Sequence, residues 1–101
     1  MNILRIKSGR IEVRRSNGIL VRMIGNGDAV FADFNPDQSL IAITTVRGKV
    51  EIRRENGVLV RTLGNGDVSS ARWNGSNIAI YRTNGQIELR GETGVLIRVF
   101  R

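Results

Sequence analysis

The sequence predicts an all-β fold made of repeated four-stranded antiparallel units, and three observations carry that expectation. Self-similarity is the first: Gly9–Gly18 reads GRIEVRRSNG, Gly48–Gly57 reads GKVEIRRENG and Gly85–Gly94 reads GQIELRGETG, with 39 positions from Gly9 to Gly48 and 37 from Gly48 to Gly85. The second is local pattern, since every segment of the unit is short, rich in Val, Ile and Leu, and alternates apolar with polar residues. The third is punctuation by Asn-Gly or related turns, with no helical periodicity between them.

Each copy continues into a second similar stretch: ILVRMIGNGD at Ile19–Asp28, VLVRTLGNGD at Val58–Asp67 and VLIRVFR at Val95–Arg101. Between copies lie Ala29–Val46 and Val68–Thr83, where Phe34 and Trp73 take equivalent positions and read as core. In the second copy this places strands at Val30–Phe34, Leu40–Val46, Val50–Arg54 and Val58–Leu63. Asn17-Gly18, Asn56-Gly57 and Asn84-Gly85 are among the pairs that supply positive φ where the chain reverses. One repeat domain, 1–101, is expected, with units at about 1–28, 29–67 and 68–101 and the first lacking its inner strand.

A register follows for the last two strands of each unit. With a loop at Ser16-Asn17-Gly18, Val13 faces Val21, Ile11 faces Met23, and Glu12 faces Arg22 on the other side. The same register sets Glu51 against Arg61 and Glu88 against Arg98, a cross-strand ladder that would fix register more than stability.

A four-stranded unit of about 40 residues recurring without helices is the signature of a β-propeller blade. At Phe34-Asn35-Pro36-Asp37-Gln38-Ser39-Leu40-Ile41-Ala42 the chain resembles the WD-repeat family, whose first two strands are joined by a similar aromatic, Ser-Pro-Asp-Gly, Leu-Ala stretch. Arg47-Gly48-Lys49-Val50-Glu51-Ile52 resembles that family's turn and third strand. The chain departs from the family at Arg14-Arg15, Arg53-Arg54 and Arg90-Gly91, which replace Trp-Asp, and at Gly25–Asp28 and Gly64–Asp67, which replace Gly-His. The family's buried His–Asp–Trp network therefore does not carry over.

Two complete units and three strands are fewer than the roughly four to eight blades of a ring. An isolated arc exposes the faces of its end blades, so a homo-oligomer is expected, with a dimer giving six blades. The alternative fold is a β-trefoil, which also uses three units of four strands and closes within one chain.

Composition narrows function. The 101 residues contain no Cys and no His, which removes thiolate nucleophiles, Cys/His zinc sites and His-dependent acid–base work. The carboxylates form no convincing catalytic pair, and Asp33 with Asp37 lack the further oxygen ligands a hard cation needs. Gly25–Asp28 and Gly64–Asp67 precede strands, whereas a phosphate loop precedes a helix. No enzyme activity, cofactor or metal is expected, and no stretch is apolar enough to span a bilayer, so a cytoplasmic location is anticipated.

The net charge of +7 favours an anionic partner, and 14 of the 16 basic residues are arginine. Arg14, Arg15, Arg53, Arg54 and Arg90 fall at the end of the third strand of each unit, which symmetry would gather on one rim. The expected role is a scaffold docking an acidic protein surface on that rim. Sequence-independent nucleic-acid binding is the alternative, weakened by the scarcity of exposed aromatics, and glycan binding at Trp73 and Tyr81 is the third possibility.

Overall fold

Alternating apolar runs become strands here because each is half of a hairpin whose turn tolerates positive φ. The computed structural model describes residues 1–101 and contains eleven strands: β1 Asn2–Lys7, β2 Arg10–Arg15, β3 Leu20–Ile24, β4 Ala29–Phe34, β5 Leu40–Thr45, β6 Val50–Arg54, β7 Leu59–Leu63, β8 Val68–Asn74, β9 Asn77–Arg82, β10 Ile87–Gly91 and β11 Leu96–Phe100. They form three antiparallel meanders, β1-β2-β3, β4-β5-β6-β7 and β8-β9-β10-β11, here called blades 1, 2 and 3. Blade 1 has three strands and no inner one. Every strand pairs only with chain neighbours in its own blade, so the trefoil alternative is not formed. A trefoil needs strands of different units to close one barrel, and these sheets stack face to face instead.

Two apolar clusters fill the two junctions. Ile11, Val13 and Ile24 of blade 1 pack with Ala29, Ile41 and Ile43 of blade 2, joined by Leu4, Val21, Ala32 and Phe34. Ala42 and Val50 of blade 2 pack with Val68, Ala71, Ile78 and Ile80 of blade 3, joined by Leu63 and Trp73. Neighbouring positions on one strand therefore serve opposite junctions, and Ala42 is buried by blade 3 while Ile41 and Ile43 are buried by blade 1. This explains the unbroken burial of Ile41–Thr45, since a strand covered on both faces has no solvated side.

The backbone joins blades as well. The Ala29 amide donates to the Gly9 carbonyl at 2.8 Å, and the Val68 amide to the Gly48 carbonyl at 3.0 Å. Gly9 and Gly48 both hold φ at +76°, and a Cβ on either would collide with the carbonyl of Gly27 or Gly66 in the next linker. Glycine is required there by conformation and by close approach together.

The cross-strand ladder is corrected by one residue. The three-residue loop forms as expected, with the Arg15 amide donating to Ile19 at 2.8 Å and Gly18 at φ +92°. Immediately beyond it a β-bulge intervenes: Arg14 pairs with Leu20, but Val13 pairs with Arg22, leaving Val21 as the extra residue. The same slip occurs at Val60 and Ile97. Glu12, Glu51 and Glu88 consequently lie across from Met23, Thr62 and Val99, and not from Arg22, Arg61 and Arg98.

Candidate functional site at the blade junctions

The bulge separates two sets of arginines. On the third strand of each blade, a glutamate meets the arginine two residues on, which lies on the same sheet face. Arg14 Nε donates to Glu12 at 2.9 Å, Arg53 Nε to Glu51 at 2.9 Å and Arg90 Nε to Glu88 at 3.0 Å. Each guanidinium then reaches the loop glycine carbonyl four residues ahead, Gly18, Gly57 or Gly94. One arginine thus clamps strand and loop together. The Arg14 hydrogen bond holds the Glu12 carboxyl below its ordinary range and raises Arg14 in turn.

The second set points across the junctions. Arg22 and Arg61 stand opposite Val13 and Ile52, on the face that meets the next blade. Arg61 Nη1 donates to the Thr93 carbonyl at 2.6 Å, and Arg22 Nη1 reaches the Asn56 carbonyl at 3.5 Å. Asn56 and Thr93 occupy the same place in their loops, so the contact repeats with the blade. Arg22 Nε and Arg61 Nε are buried with no hydrogen-bond partner.

Of the five arginines expected on one rim, three are spent on structure. Arg14, Arg53 and Arg90 form the clamps and are only partly exposed. Arg15 and Arg54 are exposed, make no ion pair, and lie on the side of the array that carries the loops. Blade 3 has Gly91 in their place. Between blades 2 and 3 that loop side opens into a groove of about 570 Å³. Leu40, Ile52 and Val60 supply its apolar lining, and Arg54, Arg61, Glu92 and the Asp37 turn the charged part of its polar one.

The opposite side holds cations that the rim argument did not single out. Lys7 and Arg10 flank the turn of blade 1, Arg47 and Lys49 that of blade 2, and all four are exposed without a carboxylate partner. Their common signal in the sequence is position beside the turn glycines Gly9 and Gly48.

Three of the six remaining carboxylates, Asp37, Asp67 and Asp33, are held by hydrogen bonds, while the side chains of Asp28, Glu55 and Glu92 make none. Asp37 accepts from the Ser39 hydroxyl at 2.6 Å and amide at 3.0 Å, which lowers its pKa. Asp67 takes the Arg82 guanidinium, a bond that lowers the Asp67 pKa and raises that of Arg82. Asp33 accepts the Trp73 amide through Oδ2 at 2.9 Å, while the Trp73 indole donates to the Asp33 carbonyl at 3.1 Å. Trp73 therefore ties the inner strands β4 and β8 together and packs against the apolar cluster between blades 2 and 3. No group of three or more carboxylates comes together to hold a metal.

Stacked four-stranded meanders with hydrogen-bonded junctions define a β-propeller-like array. Solved structures agree: Sqt1 of Saccharomyces cerevisiae superimposes with a TM-score of 0.75 at 16% identity, over 91% of this chain and 27% of Sqt1. The Pan2 WD40 domain of Neurospora crassa gives 0.73 at 15% identity, over 98% of this chain and 32% of that one. The chain thus spans a third or less of either structure. Its blades are similar to WD40 blades in fold, as the stretch around Asn35–Ala42 leads one to expect. No family model matches the sequence, and no curated protein does.

Proposed function

We infer that this chain is a non-enzymatic binding module of propeller type, working in an assembly of more than one chain and docking an acidic polypeptide on its loop side. The observation that carries this reading is the groove between blades 2 and 3. There the exposed, unpaired Arg54 and the buried, unpartnered Nε of Arg61 border an apolar lining of Leu40, Ile52 and Val60. Guanidinium groups beside an apolar floor suit a segment that alternates carboxylates with apolar side chains. Arg15 extends the positive rim along the same side. Titration with a labelled Glu/Leu-rich peptide should show binding that weakens with salt. Arg15→Glu with Arg54→Glu should weaken it at least about tenfold. Unchanged affinity in that double variant refutes the acidic docking.

Lys7, Arg10, Arg47 and Lys49 favour a second reading, sequence-independent nucleic-acid binding on the turn side. It predicts steep loss of affinity with salt through counterion release. Absence of retention on DNA or RNA at low salt disposes of it.

A further inference from the structure

The outward face of blade 3 repeats the side chains with which blades 1 and 2 receive their neighbours. Ile87 and Leu89 take the places of Ile11 and Val13, and of Val50 and Ile52. Those four are fully buried, whereas Ile87 and Leu89 are half-buried. Phe100 takes the place of Ile24 and Leu63, and Ile97 that of Val21 and Val60, yet Phe100 is 45% and Ile97 52% exposed. Arg98 stands where Arg22 and Arg61 stand but meets no carbonyl; its guanidinium lies over the Phe100 ring at 5.9 Å.

The shape of this open face says what fits it. Its apolar part covers β9, β10 and β11, through Ala79, Ile87, Leu89 and Phe100. Inner strand β8 instead turns Ser70 outward, while the Arg72 guanidinium reaches back to lie 4.7 Å from the Phe31 ring of blade 2; in β4 the equivalent residues, Phe31 and Asp33, engage blade 3 through Arg72 and Trp73. A complete four-stranded blade would lay an inner strand on that polar region. Blade 1 has only three strands.

The outward face of blade 1 is the matching half. Ile3 pairs with Arg14 as Ile41 pairs with Arg53, so Ile3 occupies the place from which Ile41 packs onto the preceding blade. It is 51% exposed. Arg5 replaces Ile43 there and lies 3.8 Å from Glu12, which offsets its charge.

We propose that the outward face of blade 3 receives blade 1 of a second copy of this chain, two copies closing head to tail into a six-bladed ring. The proposal rests on the multi-chain part of the reading above. In each new junction Ile87 and Leu89 pack on the second copy's Ile3, and Arg98 donates to the main-chain carbonyl of the second copy's Asn17, the loop position that Asn56 and Thr93 hold in the existing junctions. Two copies together supply six blades, within the roughly four to eight that rings hold. A heterologous contact that closes after two copies makes a discrete dimer, not a filament.

Light scattering on the purified protein tests this, with a mass of twice 11.2 kDa expected at micromolar concentration. Leu89→Glu on one face and Ile3→Glu on the other should each raise the dissociation constant about thirtyfold or more. The milder Arg98→Ala, at an exposed position, should raise it about tenfold while circular dichroism stays that of the wild type. Mixing Leu89→Glu with Ile3→Glu restores one intact junction, so an equimolar mixture should recover a heterodimer that neither variant forms alone. A monomer at all concentrations overturns the proposal, as does a dimer indifferent to Leu89→Glu, Ile3→Glu and Arg98→Ala. A monomer that still binds the acidic peptide removes the ring but leaves the docking site standing.

Discussion

Blades 2 and 3 share one repeat, one bulge and one clamp, yet β6 buries Val50 and Ile52 completely while β10 leaves every residue partly exposed. The strands do not differ in pattern, since Val50-Glu51-Ile52-Arg53 and Ile87-Glu88-Leu89-Arg90 alternate alike. What differs is the neighbour. Burial in this fold belongs to the junction between blades, so the same residue type contributes fully in one blade and partially in the next.

Glycine substitution should break that equivalence most sharply. Gly48→Ala forces a side chain against the Gly66 carbonyl at φ +76°, and we expect a loss of about 3 kcal/mol or more in urea denaturation. Gly85 holds a similar φ of +90° with nothing nearby, so Gly85→Ala should cost only about 1–2 kcal/mol of strain. Equal losses would show that backbone conformation, and not the junction, makes Gly48 necessary.

Core truncation comes next. Ile52→Ala should cost about 3 kcal/mol, the usual price of a cavity at a fully buried site. Leu89→Ala should cost about 1 kcal/mol when measured at a dilution where the chain is monomeric. If the ring forms at higher concentration, the gap between these two variants should narrow there.

A smaller contrast lies between adjacent arginines. Arg53→Ala removes the clamp on Glu51 and the Gly57 carbonyl and should destabilise by about 1–2 kcal/mol. Arg54→Ala removes an unpaired exposed cation and should change stability by less than about 0.5 kcal/mol while weakening the peptide. Thermal unfolding and peptide titration on the same samples separate the two roles.

The gentlest effect is in acid. Arg14 and Arg82 hold Glu12 and Asp67 below their ordinary pKa, so these bonds contribute fully above about pH 5 and are lost as pH falls through the lowered folded values. Glu12→Gln and Asp67→Asn should therefore flatten the fall of the melting temperature below about pH 4. A fall as steep as that of the wild type would show that neither pair matters in the folded state.

Much of this architecture is legible from residues alone. Val50–Arg54 forms a strand with the expected bounds, and Leu40–Thr45 ends one residue before the expected Val46. Asn-Gly turns and alternation act locally, over distances the chain itself sets. The pairing of Glu12 with Arg22 was not legible, because the bulge that overturns it sits at Val21, Val60 and Ile97. These apolar β-formers look like ordinary strand residues. A slip of one residue moves each side chain to the other face, and so turns Arg22 and Arg61 from their own glutamates toward the next blade and Arg98 toward the open face of blade 3.

Of the candidate site, the sequence offered five arginines on one rim, and the structure divided them. Arg14, Arg53 and Arg90 close loops, while Arg15 and Arg54 stay free, because a guanidinium two residues beyond a glutamate shares its face and the next residue does not. By itself the sequence determined an all-β repeat of meanders, the turns between them and the absence of Cys and His chemistry, all of which follow from residue type and local period. Only the tertiary structure decided which faces are covered, which arginines are spent and where a groove opens. Those properties arise when one blade meets another, and no single repeat contains its neighbour.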